Sequence, residues 1–218
     1  MSAGLRTLTQ AAGLTVGGAA VEVWTAEARE VPEDGWEMLA PDDLRYLARL
    51  ALPQVRAEAA HGRAILRWVL GDRLGLPAER VRFARTLTGR PYLPGADWDF
   101  SLSYSSGLVC VAVAHRARIG VDVERVRPLD KGDAVAERFF SPADRAALDA
   151  LDGAAREAYW FQAWTRTEAL IKAHGSGLLD PPPTGGPGSP AVPLPVPAGF
   201  AGAVAALDWN GGPGCTTT

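Results

Sequence analysis

FSLSYSSGLVCVAVAHRARIGVDVE, residues 100–124, carries three extended segments in succession with no helical stretch between them. Phe100–Tyr104 and Leu108–Ala114 are apolar and β-branched, and the Ser-Ser-Gly between them is a turn composition, so the two read as a β-hairpin. Ile119–Glu124 is a further strand. Neighbouring strands joined by a turn too short for a helical crossover pair antiparallel.

Outward from this hairpin the chain becomes helical on both sides. Upstream, Val81–Thr86 reads as a strand and Gly89-Arg90-Pro91 as a turn. Before them, Pro53–Leu74 has an apolar stripe (Val55, Ala59, Ile65, Leu66, Val69, Leu70) at helical spacing. Pro41–Leu50 has proline at a first helical position and acids in its first turn. Ala19–Thr25 alternates weakly as a first strand. Downstream, Ala134–Phe140 is a short helix. Ser141 is an N-cap for a second helix with Pro142 at its first position. Ala154–His174 is the longest helix and stops at Gly175. Leu179–Pro197, rich in proline and glycine, reads as an irregular connection. Gly199–Leu207 reads as a last strand, followed by a frayed tail. Strand, helices, strands, helices, strand predicts an α+β protein with antiparallel sheets rather than a parallel α/β alternation.

Composition narrows the function classes. The chain has 218 residues, 47% hydrophobic and 22% charged, with a net charge of −3. That balance predicts no general affinity for nucleic acid or anionic membranes, and no run approaches the roughly 20 apolar residues that span a bilayer. Two cysteines, Cys110 and Cys215, make no disulfide framework, which predicts a cytoplasmic protein with reduced thiols. Only Lys131 and Lys172 are lysines among 22 basic residues. Eight arginines between Arg56 and Arg90 face only Glu58, Asp72 and Glu79, either as a solvated helix face or as a basic zone for phosphates or an acidic partner. His61, His115 and His174 share no zinc-like spacing. Gly-x-Ser-x-Gly, P-loop and dinucleotide-binding patterns are missing from the sequence.

Two segments carry chemistry. In Ile119-Gly120-Val121-Asp122-Val123-Glu124 the period of two puts Asp122 and Glu124 on one face, where a hard cation relieves their repulsion. In the helix Trp164-Thr165-Arg166-Thr167-Glu168-Ala169-Leu170-Ile171-Lys172, the residues Trp164, Glu168 and Lys172 form one stripe. The plain alternatives are an acidic strand end and a helix-stabilising ion pair. A tryptophan in line with Glu168 and Lys172 argues that this stripe faces protein instead. Three carboxylates with a lysine one turn on suit magnesium and a phosphate-bearing substrate.

Five blocks, in order, resemble the Sfp-type 4′-phosphopantetheinyl transferases. They are Gly89-Arg90-Pro91-Tyr92-Leu93, Phe100-Ser101-Leu102-Ser103-Tyr104-Ser105, Gly120–Glu124, Arg138-Phe139-Phe140-Ser141, and Trp164–Lys172 followed by Gly175 and Gly177-Leu178. The resemblance implies two similar α/β lobes related by a pseudo-twofold axis, residues 1–116 and 117–218, with coenzyme A between them. It implies Asp122, Glu124 and Glu168 as Mg²⁺ ligands, with Glu168 the first choice for general base. Lys172 is implied at the pyrophosphate and as the second choice for proton transfer. Arg56, Arg63, Arg90, Ser103 and Tyr104 are implied at coenzyme A, with Arg63 near the adenosine 3′-phosphate. The implied partners are acyl or peptidyl carrier proteins, bound by a monomer. The Trp-x-x-x-Glu-Ala form resembles the branch that serves polyketide and nonribosomal peptide synthesis.

Arg90 stands where lysine is usual in the family's Gly-Lys-Pro block, and three further features depart from the family pattern. Tyr104 stands where histidine is usual, Thr167 stands where lysine is usual, and the segment after Leu178 is short and proline-rich. Two other readings remain open: a metal-dependent phosphohydrolase, and a non-catalytic protein that binds coenzyme A or carrier proteins.

Overall fold

The computed structural model describes residues 9–28, 31–129, 132–177 and 190–210. Thr9–Val16 (β1) and Ala19–Glu27 (β2) form a hairpin across Gly17-Gly18, both at positive φ, as a two-residue turn of this hand requires. Three helices follow: Glu33–Glu37 (α1), Pro41–Leu47 (α2) and Pro53–Leu74 (α3). A 3₁₀ turn at Ala78–Arg80 leads to the two-residue strands Ala84–Arg85 (β3) and Pro91–Tyr92 (β4). Trp98–Ser105 (β5) and Leu108–His115 (β6) complete a four-stranded antiparallel sheet of order β1-β2-β6-β5.

The second half begins with Ala117–Arg125 (β7). Gly132–Phe139 (α4), Pro142–Asp149 (α5) and Gly153–His174 (α6) come next. Ala191–Pro193 (β8) and Phe200–Asp208 (β9) then build a three-stranded sheet of order β7-β9-β8. The architecture is α+β with antiparallel sheets. Each half carries a 22-residue helix ending on a left-handed glycine, Gly75 after α3 and Gly175 after α6. No helix among the described residues is long and apolar enough to cross a membrane.

Several elements differ from the sequence expectations. β1 was not expected, and neither was α1. Val81–Thr86 contributes only the two-residue β3. Within the expected irregular connection, Ala191–Pro193 pairs with β9, because a short edge strand tolerates proline where no ladder N–H is needed. Residues 178–189, and the tail with Cys215, lie outside the described residues.

The larger sheet has a core on each face. On one side α3 lays Ala59, Ile65, Leu66, Val69 and Leu70 against Phe100, Val109, Val111 and Val113. On the other, Val21, Val23, Cys110 and Ala112 meet Ile119, Val121, Val123 and Val204 of the second sheet. Cys110 is a core residue there, and burial pushes its thiol up to about 12. β7 also packs beneath α6, and Gly120 permits this. A Cβ at that position would sit 1.9 Å from the Ala169 carbonyl oxygen and 2.6 Å from the Ala173 nitrogen.

His61 on α3 is fully buried. Its Nδ1 lies 3.3 Å from the Ala57 carbonyl, and its Nε2 has no hydrogen-bond partner among the described residues. Burial lowers its pKa below the usual 6.5. The unfolded chain therefore binds the proton more readily, so the stability His61 contributes is complete above about pH 6.5 and is lost as the pH falls toward the folded value. Thermal melts of His61→Gln should decline less than wild type on acidification below about pH 6.5. Parallel curves for the two proteins would contradict this.

Candidate active site

A cleft of about 780 Å³ opens between α2, α3, the β3–β4 turn and the end of α6. Arg45, Arg49, Arg63, Arg82 and Arg85 line it, with Tyr46 and Tyr104 among them and Lys172 on the α6 side. Such a density of guanidinium groups creates a positive potential suited to a polyanionic ligand. Arg63 lies 4.0 Å over the Tyr46 ring and donates to Asp43 Oδ1 at 2.9 Å. Tyr104 also bonds Tyr46, and burial first, then that bond, raises its phenol to about 12.

Not every arginine of the basic stretch serves the cleft. Arg67 borders the cleft, but it is buried, ion-paired to Asp43, and spends its guanidinium on that carboxylate and on the carbonyls of Ala78 and Val81. Arg73 pairs with Glu22 of β2 and is not part of the cleft lining. Arg56 donates to the Leu50 carbonyl at 2.6 Å and is not part of the cleft lining. Arg90 borders the cleft, but its guanidinium faces inward. It donates to Asp99 at 2.5 Å, to the Ile119 carbonyl at 2.9 Å and to the Ala173 carbonyl at 3.1 Å. Arg118 also donates to the Ala173 carbonyl, at 3.3 Å. Two cations thus satisfy the C-terminal carbonyls of α6, where the helix dipole favours them.

Lys172 connects the cleft to the carboxylates. Its ammonium donates to Asp122 Oδ1 at 2.7 Å, the Val121 carbonyl at 3.1 Å and Ser103 Oγ at 3.2 Å. Those bonds use all three of its hydrogens. Burial works against its charge, but Asp122, Glu168 and Glu124 outweigh burial and raise its pKa. A lysine held cationic in this way supplies positive charge and is unsuited to accept a proton near neutrality. Glu168, one turn earlier, is the opposite case. Burial, then the Asp122 carboxylate, raise it to about 8, although Lys172 acts the other way. A carboxyl group tuned toward neutrality is able to exchange a proton at working pH.

The structure thus brings Asp122, Glu168, Lys172 and Ser103 together. Glu124, the third expected metal ligand, accepts from Ser105 Oγ at 2.9 Å and lies 3.5 Å from Arg127. Among the described residues no three side chains form a ready cluster of metal ligands. Two observations nonetheless fit a divalent cation at Asp122 and Glu168. Asp122 Oδ2 is buried with no hydrogen-bond partner among the described residues, and burial, then the Asp122 carboxylate, raise Glu168. A hard cation would satisfy the first and relieve the second. Sequence reasoning missed Tyr46 and Asp43; the acids of the α2 first turn were read only as a helix start. Thr167 is buried and donates to the Ala163 carbonyl at 2.9 Å, so it offers nothing to the cleft.

Residues 118–185 match the family model of the 4′-phosphopantetheinyl transferase superfamily. The chain is 34% identical over 144 residues to the 4′-phosphopantetheinyl transferase HetI of Nostoc sp., covering 64% of this chain and 61% of that protein. It is 31% identical over 121 residues to the 4′-phosphopantetheinyl transferase Sfp of Bacillus subtilis, covering 55% of this chain and 53% of that protein. The chain therefore spans between half and two thirds of the length of these relatives.

Proposed function

We propose, for a chain that belongs to the 4′-phosphopantetheinyl transferase superfamily, that it transfers the phosphopantetheine arm of coenzyme A to a serine of an acyl or peptidyl carrier protein. The observation that carries this reading is an arginine-lined cleft ending at Lys172, behind which Asp122 and Glu168 face each other. We read residues 1–116 and 117–218 as two lobes, with coenzyme A in the cleft and the carrier serine approaching the carboxylates.

In this reading Arg63 and its neighbours hold the nucleotide phosphates, and Tyr104 donates its hydroxyl to the same ligand. Lys172 presents a fixed positive charge where the pyrophosphate enters. Glu168 takes the proton from the carrier serine as its oxygen attacks the phosphorus that bears the pantetheine. The bond from that phosphorus to the nucleotide breaks, and adenosine 3′,5′-bisphosphate leaves. Asp122 and Glu168, with Glu124 beside them, would hold Mg²⁺. When bound, the metal supplies charge neutralisation on the phosphate oxygens. The polyketide or nonribosomal peptide branch is the substrate class that the Trp164–Ala169 pattern favours. The cytoplasm and a monomeric state complete the proposal.

Intact mass spectrometry of an apo carrier protein incubated with the protein, coenzyme A and Mg²⁺ tests the reaction. A gain of one phosphopantetheine, abolished by chelator, is the expected result. No gain across several carriers would overturn it. The cleft assignment has its own test in coenzyme A binding followed by calorimetry. Arg63→Ala should weaken binding roughly ten- to a hundred-fold, the value of a charge-assisted hydrogen bond. Arg56→Ala, which removes only a loop contact, should leave the dissociation constant unchanged.

A further inference from the structure

β7 is the edge of its sheet. β9 flanks it on one side, and no strand pairs with the other among the described residues. An exposed row of N–H groups is costly unless something accepts from it. Here β5 does so with side chains instead of backbone. The Ile119 N–H donates to Asp99 Oδ2 at 2.9 Å and the Val121 N–H to Ser101 Oγ at 3.0 Å. The Val123 N–H donates to Ser103 Oγ at 3.3 Å, and the Arg125 N–H to Ser105 Oγ at 3.2 Å. The offset is constant at 20 residues, so alternate side chains of one strand form a comb on the edge of the other.

A serine that accepts an N–H still has its own hydroxyl hydrogen to give. Ser103 gives its hydrogen to Asp122 Oδ1 at 2.8 Å, and Ser105 gives its hydrogen to Glu124 Oε2 at 2.9 Å. Each hydroxyl therefore grips the backbone of β7 and the carboxylate one residue earlier from a single atom. Ser101 has the same backbone bond, but the corresponding residue is Gly120, which offers no carboxylate. Ser103 also accepts from Lys172. Its one hydrogen and its acceptor capacity are committed inside the protein, and none is left for a phosphate oxygen.

We infer that Ser103 and Ser105 are positioning residues, which lock the rotamers of Asp122 and Glu124 and set the register of the two sheets, and that Ser103 is not a phosphate contact. This rests on the transferase reading above. It assigns the catalytic cost of losing either serine to misplaced carboxylates rather than to weaker coenzyme A binding.

The test compares Ser101→Ala, Ser103→Ala, Ser105→Ala and Ser103→Thr in the full chain, with melting curves to establish folding. Ser103→Ala and Ser105→Ala should each lower kcat on the order of 10- to 100-fold, the usual cost of removing a group that orients a ligand side chain. Coenzyme A should keep its KM and its calorimetric dissociation constant. Ser101→Ala, which loses a tooth of the comb but no carboxylate bond, should keep kcat within a few-fold, and Ser103→Thr should recover most of the activity. A raised coenzyme A dissociation constant in Ser103→Ala with kcat intact would overturn the inference in favour of a phosphate contact. Equal losses in all three alanine variants would reduce the comb to a packing device. If wild type modifies no carrier, the transferase reading fails separately, and Mn²⁺ titration then decides the serines. Weaker Mn²⁺ binding in Ser103→Ala and Ser105→Ala than in Ser101→Ala upholds the inference, and equal binding overturns it.

Discussion

Glu168→Gln should lower the rate of carrier modification by ~10²–10⁴-fold, the range spanned by removal of a general base, without loosening the fold. Glutamine has nearly the volume of glutamic acid and cannot ionise. In wild type, burial and the adjoining Asp122 carboxylate disfavour the charged form of Glu168. An amide at this place removes the repulsion, so the melting temperature should stay level or rise while activity disappears. This opposed pair of results distinguishes a strained functional carboxylate from an ordinary helix ion pair, whose loss would cost a few tenths of a kcal/mol and leave catalysis untouched. Stopped transfer assays beside thermal melts read both quantities. A variant that kept wild-type turnover would remove Glu168 from the chemistry and leave Asp122 and Lys172 as an electrostatic platform.

Gly120→Ala should be the most damaging substitution of a single small residue. The strand conformation at Gly120 is one that any residue can adopt, so the difficulty is contact alone. The added methyl would meet main-chain atoms of α6, at Ala169 and Ala173, and main chain cannot rotate aside as a side-chain tip can. The helix must move outward, losing contacts that bury Ala169, Leu170 and Ala173 against Ala203 and Ala205. Overpacking of this kind costs about 3 kcal/mol or more, or roughly 6–12 °C in melting temperature for a chain of this size. Catalysis should fall further than stability accounts for, because Glu168 and Lys172 ride on the displaced helix while Asp122 stays with the strand. A shift of 1 Å in such a geometry is enough to cost two orders of magnitude. A Gly120→Ala protein with wild-type melting and turnover would mean that β7 and α6 are not in close contact.

Much of this was legible along the chain because it is local. The bounds of α3 follow from proline at the first helical position and an apolar stripe at helical spacing, and Gly175 ends α6 as expected. Ser141 caps α5 by accepting from the Asp144 N–H. β1 was missed because TQAAGLTV is poor in bulky β-branched residues, yet the Gly-Gly after it is a hairpin signal and could have revealed it. The pairing of Asp122 with Lys172 was accessible as chemistry, since both stood out against their surroundings. The comb was not accessible. Ser101, Ser103 and Ser105 look like the polar face of any half-exposed strand, and nothing in the sequence tells that this face meets the backbone of a strand 20 residues on. Arg90 illustrates the same limit, since its turn is local but its partners Asp99, Ile119 and Ala173 are brought together only by folding.

The phenol at Tyr104 has a consequence for how the protein meets changing conditions. Burial and the bond to Tyr46 raise its hydroxyl to about 12, and no histidine is among the described residues that line the cleft, so no imidazole switches the charge of the arginine end near neutrality. For the ligand proposed above, the second ionisation of its phosphate monoester is one source of pH dependence in affinity, and Glu168, raised to about 8 behind Lys172, is another. The arginine end contributes a steady field, and the response to acidity comes from the ligand and from the carboxylate end.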